Sequence, residues 1–325
     1  MTLRTLVLTT TLALTACGET LDAGSSRPHG SLPVDERNPI ILTNDNVGEN
    51  WQGEYALLLA NGGGPKLAGI VVNTSGPWPD IEANVEGWRA LVTAARASGL
   101  DAPDPLASVG ATLEKPASGL IEDTVPNRSE GARFIVDTSL ALSLPYRPVV
   151  ITTGGRLTDI ADAYLMDPSV AERIVVVSSL GSISESGAVM ANPNGEMDSW
   201  ADVIVTSRLR YVQVSAFYDQ LTDVPASRVS ELPTNALGAW IADKQPHIWD
   251  LPEASDQVAI AAVGIPNFAA TVVRASAAPS TAKPRQGPDL TTDPNGPIWL
   301  VREVKGSLAS ASFWQRLSEL GAVSN

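Results

Sequence analysis

Short runs of β-branched and aliphatic residues recur along the chain, each followed by a stretch with helical spacing, and this alternation limits the fold more than any other feature. Strands are predicted at Pro39–Thr43, Leu67–Asn73, Arg147–Thr152, Arg173–Val177 and Arg210–Ser215. The clearest helix is "LTDIADAYL", where Leu157, Ile160, Ala161, Tyr164 and Leu165 share one face. A second is predicted from about Asp80 to Ser98, stopping at Gly99, and a third from near Ser129, with Glu130 in its first turn, ending before Pro145. Single strands separated by helices predict an α/β fold: an open, mostly parallel, doubly wound sheet with helices on both faces. "NGGGPK", from Asn61 to Lys66, lacks the Gly-Lys-Ser/Thr ending of a phosphate loop and reads as a helix stop. Residues 276 to 297, rich in Pro, Ser and Thr, predict a long surface loop, with "IWLVREV" as a last strand and "SLASASFWQRLSEL" as a closing helix.

With 325 residues, 44% of them apolar, the chain is long enough for a large core. A formal charge of -14 argues against a nucleic-acid polymer as partner, since phosphate binding needs a basic surface, and leaves a small neutral ligand or a bound cation. The sole cysteine, Cys17, follows a segment with Arg4 near its start and an apolar run from Leu6 to Leu14, too short to span a bilayer. Leu14-Thr15-Ala16-Cys17 resembles a bacterial lipobox, which implies a lipoprotein signal peptide over residues 1–17 and lipidation at Cys17. Residues 18–38 then read as a flexible tether and 39–325 as the folded domain. By the same resemblance, Gly18 rather than Asp after the cysteine implies an outer-membrane lipoprotein of the cell envelope, facing the periplasm or the cell surface, held by its lipid and not by a spanning helix.

In open α/β sheets ligands collect at the carboxyl ends of the strands. The oxygen-bearing residues expected there are Asp45, Glu49 and Asn50, then Thr152 and Thr153, and separately Asp256 in "ASDQVAIAAV". Hard oxygen donors from separate loops are what calcium prefers. Each residue also has a plainer role open to it: Asp256 as a helix cap, Asp45 as a turn residue.

Together these blocks resemble the inosine-uridine nucleoside hydrolase family. The family's N-terminal strand runs into an Asp-x-Asp-x-x-x-Asp-Asp signature that binds calcium, and here that stretch reads "TNDNVGEN", from Thr43 to Asn50. "VVITTGGRLTDIADAYLMDPSVAERIVVVSSLG" is similar to the family's strand, Thr-Gly loop, helix and strand, "GEMDSWAD" to its Glu-Phe-Asn segment, and "SDQVAIAAVGIPNF" to its His-Asp-Pro-x-Ala helix start. The resemblance implies calcium held by Asp45, Asn50, the Thr153 carbonyl and Asp256. It also implies Asp45 as the base that takes a proton from water, and Glu49, Glu196 and Asp198 as binders of ribose hydroxyls. Departures stand at Thr43, Asn50 and Ser255, where the family has Asp, Asp and His. "WQGE" after Asn50 reads as a short insertion, and the asparagine after the family's second strand reads as replaced around Gly76-Pro77-Trp78-Pro79.

The implied reaction is hydrolysis of the N-glycosidic bond of a ribonucleoside or related glycoside. Carboxylates aimed at the sugar would stabilise the positive charge that grows there. The implied partner is a small nucleoside or glycoside, and a homo-oligomer is possible by the same resemblance. Trp51, Trp78 and Trp200 are candidates to stack on the base. The departures at Thr43, Asn50 and Ser255 support a second reading, a non-catalytic nucleoside- or sugar-binding lipoprotein of the same fold. A serine hydrolase is disfavoured, because "SSLGSISESG" has no Gly-x-Ser-x-Gly elbow and the chain has only two histidines, His29 in the tether and His247.

Overall fold

The computed structural model describes residues 31–47, 51–108, 110–179, 197–214, 224–244, 256–278 and 288–322. In chain order the strands are β1 (Ile40–Asn44), β2 (Leu67–Val72), β3 (Pro105–Ala107), β4 (Val149–Thr153), β5 (Ile174–Ser178), β6 (Arg210–Val214), β7 (Ala269–Ala278), β8 (Asp289–Thr292) and β9 (Ile298–Val304). They form one sheet in the order β3-β2-β1-β4-β5-β6-β9-β7-β8. Every pair from β3 across to β9 is parallel, while β7 runs antiparallel to both β9 and β8. The predicted fold class is therefore the observed one, with an antiparallel margin added.

Strand alternation splits the core in two. Ile40, Leu42, Val150, Val175 and Val177 face one layer, built from α1 (Gln52–Asn61), α2 (Ile81–Ala97), α7 (Ala236–Lys244), α8 (Gln257–Gly264) and α9 (Gly306–Ala322). Ile41, Val149, Ile151, Ile174 and Val176 face the other, built from α3 (Glu130–Leu142), α4 (Thr158–Met166), α5 (Val170–Arg173) and α6 (Ser199–Arg208). Both faces are buried, which is why these strands are continuously apolar. None of the described helices is long and apolar enough to cross a membrane.

The chain proceeds from β1 outward to β2 and β3, then returns to the other side of β1 for β4. This reversal opens a crevice between the carboxyl ends of β1 and β4, where a doubly wound sheet receives its ligand.

Three expectations change. The compact unit begins at Leu32 rather than residue 39: Leu32 and Val34 are buried in the first core layer, and Asn38 Nδ2 donates to Pro148 O at 2.7 Å. The helix expected to resume after "WQGE" already includes it, since Gln52, Gly53 and Glu54 form the first turn of α1. A side chain at position 53 would collide with Trp88 and Leu91, so glycine there lets α1 lie against α2. Finally, the stretch 276–297 is only partly loop. It contains the end of β7 and all of β8, paired through Ser276 with Thr291 and Ala277 with Leu290, because the apolar residue in "PDLTTD" is too isolated to mark a strand by pattern.

Candidate functional site at the carboxyl ends of β1, β2, β4 and β5

Asp45 follows β1 directly and is 3% exposed. Its Oδ1 accepts from Asn46 N at 2.7 Å, its carboxylate is hydrogen-bonded by the Ser75 side chain, and Trp88 Nε1 holds its carbonyl at 3.1 Å. Burial is the main force that raises its pKa from 3.8 to about 6. The charge of Asp256 raises it further, while the hydrogen bonds from Ser75 and the backbone oppose the shift. Residues 211 positions apart in sequence are thus near enough for their charges to repel.

Asp256 precedes α8 and is held from two sides. Asn44 Nδ2 donates to its Oδ2 at 3.0 Å, and Ser179 Oγ lies 2.9 Å from its Oδ1. The Asn44 amide is itself fixed: Oδ1 accepts from Asp45 N at 2.8 Å, and Nδ2 also donates to Gln52 Oε1 at 2.5 Å. Gln52 in turn donates to Asp256 O at 3.2 Å, tying the start of α1 to the start of α8. Below the carboxylate runs Thr153-Gly154-Gly155. A Cβ on Gly154 would lie 2.1 Å from Asp256 Cγ, so glycine is what lets the β4 loop pass beneath this carboxylate. A Cβ on Gly155 would meet Asn73 Oδ1 at 2.6 Å.

Asn73 stands immediately after β2, with its backbone N bonded to Asn44 O at 2.9 Å. Its buried Oδ1 has no hydrogen-bond partner among the described residues, and the same is true of Thr43 Oγ1 and of both amide atoms of Gln257. Such orphans are uncommon in a folded interior and mark a place prepared for something polar. An asparagine, Asn73, therefore stands directly after the second strand.

Calcium suits the described part of the expected set. Two buried carboxylates repel each other, the Thr153 carbonyl stands beside one of them, and all the donors are oxygen. Among the described residues there is no cluster of three or more His, Cys, Asp or Glu, so such a site leans on carbonyl and hydroxyl oxygens.

Of the residues expected from sequence, Asp45, Thr153 and Asp256 come together here. Glu49, Asn50, Glu196, Cys17, Ser255 and His247 lie outside the described residues. Asp198 is engaged by protein donors. As N-cap of α6 its Oδ1 accepts from Ala201 N at 3.1 Å, and its Oδ2 accepts from Leu113 N at 3.0 Å and Thr158 Oγ1 at 2.8 Å. Trp200 is likewise a packing residue, its Nε1 donating to Thr124 Oγ1 at 3.0 Å with Lys115 over its ring. Asn44, Gln52, Asn73, Ser75 and Ser179 were not expected at the site. For Asn73 and Ser179 the available signal was position, since each is the first residue after a buried strand or one removed from it.

No protein-family model matches the sequence, and no curated protein matches it. Solved structures do. A plant nucleoside hydrolase, PpNRh1, superposes with a TM-score of 0.63 at 11% identity over 86% of this chain and 99% of its own. The inosine-uridine preferring nucleoside hydrolase of Bacillus anthracis gives 0.62 at 16% over 87% and 99%, and a purine-preferring ribonucleoside hydrolase of Gardnerella vaginalis gives the same values. The fold of this chain is the nucleoside hydrolase fold, in a divergent form.

Proposed function

We propose that this protein is a hydrolase of N-glycosidic bonds, acting on a ribonucleoside or a related glycoside. The observation that carries the reading is the meeting of Asp45 and Asp256 at the topological reversal, beside an asparagine whose buried oxygen lacks a partner. Asp45 is the base: when ionised it accepts a proton from water approaching the anomeric carbon, and Ser75 and the Asn46 amide hold its carboxylate in place. Positive charge growing on the sugar ring is stabilised by the paired carboxylates more than the neutral ground state is. Asn73 presents an acceptor to a sugar hydroxyl. Calcium, held by Asp45, the Thr153 carbonyl, Asp256 and the expected Asn50, would supply a Lewis acid that orients water and vicinal hydroxyls. Glu49 and Glu196 remain the proposed partners of the sugar. We also place the protein, by its lipobox-like Leu14 to Cys17, on a lipid anchor at the cell envelope.

The test is release of free base and reducing sugar from a nucleoside panel in the presence of calcium. Asp45→Asn should lower kcat by about 100-fold or more, the usual contribution of a general base. Binding of a nucleoside by the native protein without any turnover would instead select the non-catalytic binding protein.

A further inference from the structure

Ser179 brings a hydroxyl to the point where two of the expected cation donors meet. It follows β5, whose last residue, Ser178, pairs with Thr153 at the end of β4, so the sheet register sets it beside the Thr153 carbonyl. Its backbone N donates to Thr153 O at 3.1 Å, and its Oγ lies 3.2 Å from that same oxygen and 2.9 Å from Asp256 Oδ1. All three residues are buried. A hydroxyl has one proton, so it can satisfy only one of these two acceptors. The carboxylate is the stronger acceptor and takes it. The Ser179 and Thr153 oxygens then face each other at 3.2 Å with lone pairs and no proton between them. Lone pairs that face one another at this distance are relieved by a cation that both oxygens can face.

We propose that Ser179 Oγ is a further oxygen ligand of the cation site. The proposal rests on the calcium reading above, and its experiment separates the two. Calcium binding is measured by titration calorimetry and by the calcium-induced rise in Tm for the native chain, Ser179→Ala and Ser179→Thr. Ser179→Ala should weaken calcium binding by about 10- to 100-fold, and Ser179→Thr, which keeps the hydroxyl, should stay within a few-fold of native. A purely structural hydroxyl would lower the calcium-free Tm and leave the calcium Kd unmoved, and that result overturns the proposal. Should the alanine variant not fold, Ser179→Cys, close in shape but a weak oxygen mimic, is expected to lose affinity likewise, and native affinity in it also overturns the proposal. A native chain indifferent to calcium removes the cation reading itself, and Ser179 as a ligand with it.

Discussion

Glu54 is a residue whose chemistry departs far from what its place in the sequence suggests. It sits in the first turn of α1 at 1% exposure, with Oε1 accepting from Trp240 Nε1 at 2.8 Å and Oε2 lacking a hydrogen-bond partner among the described residues. Burial is the main force that lifts its pKa from 4.5 to about 7, against the Trp240 hydrogen bond and the Lys244 charge. A carboxyl raised on folding stabilises the native state fully below its unfolded pKa, near 4.5, and the contribution is lost as pH rises through about 7. Between pH 4.5 and 8 the native chain should therefore lose up to about 3 kcal/mol that Glu54→Gln retains. Urea midpoints across that range check it: the two chains should diverge as pH rises, and parallel curves would contradict it. Gly154 makes a separate prediction. Gly154→Ala puts a methyl into the Asp256 carboxylate, which has to move, so calcium-dependent stabilisation should fall sharply while circular dichroism stays native.

At the scale of elements, two aspartates with the same local signature have different tertiary reach. Asp80 caps α2, its Oδ1 accepting from Glu82 N at 3.0 Å and Ala83 N at 3.1 Å, at an exposed position. Asp80→Ala should cost about 1 kcal/mol, the usual worth of a cap. Asp198 caps α6 and also binds Leu113 and Thr158, with its carboxyl buried. Asp198→Ala leaves those donors unsatisfied and should cost about 2–4 kcal/mol, read as the larger drop in denaturant midpoint. Helix starts at Asp80 and Ser129, and the stop at Gly99 with its φ of 86°, were legible because capping is chemistry of adjacent residues. That Asp198 is a buried anchor was not legible, because Leu113 and Thr158 reach it only through the packing of α4, α6 and the loop before α3.

For the molecule as a whole, the boundary of the folded unit is a matter of packing. A chain starting at Leu32 should unfold in one transition with the midpoint of the longer chain, since Leu32–Asn325 forms a unit by itself. Starting at Pro39 removes Leu32, Val34 and the Asn38 bond to Pro148, and should cost about 3–5 kcal/mol, judged by burial of two aliphatic side chains and one hydrogen bond. Equal midpoints for the two truncations would mean those contacts contribute nothing.

The alternation of β1, β2, β4, β5 and β6 with helices, the mostly parallel class of the sheet and the placing of Asp45 and Thr153 at strand ends were legible in the sequence alone. Periodicity is a local property, and a buried parallel strand announces itself as an unbroken apolar run ending in polar residues. Tertiary structure decided the rest. β7 and β8 are strands because β9 and each other offer partners, the polar lattice of Asn44, Gln52 and Ser179 around Asp256 exists because four strand ends and two helix starts converge, and Asp198 faces inward because α6 turns it so. Hydrogen bonds between residues as much as 212 apart leave no periodicity to read, and only the folded chain brings their donors and acceptors within 3 Å of each other.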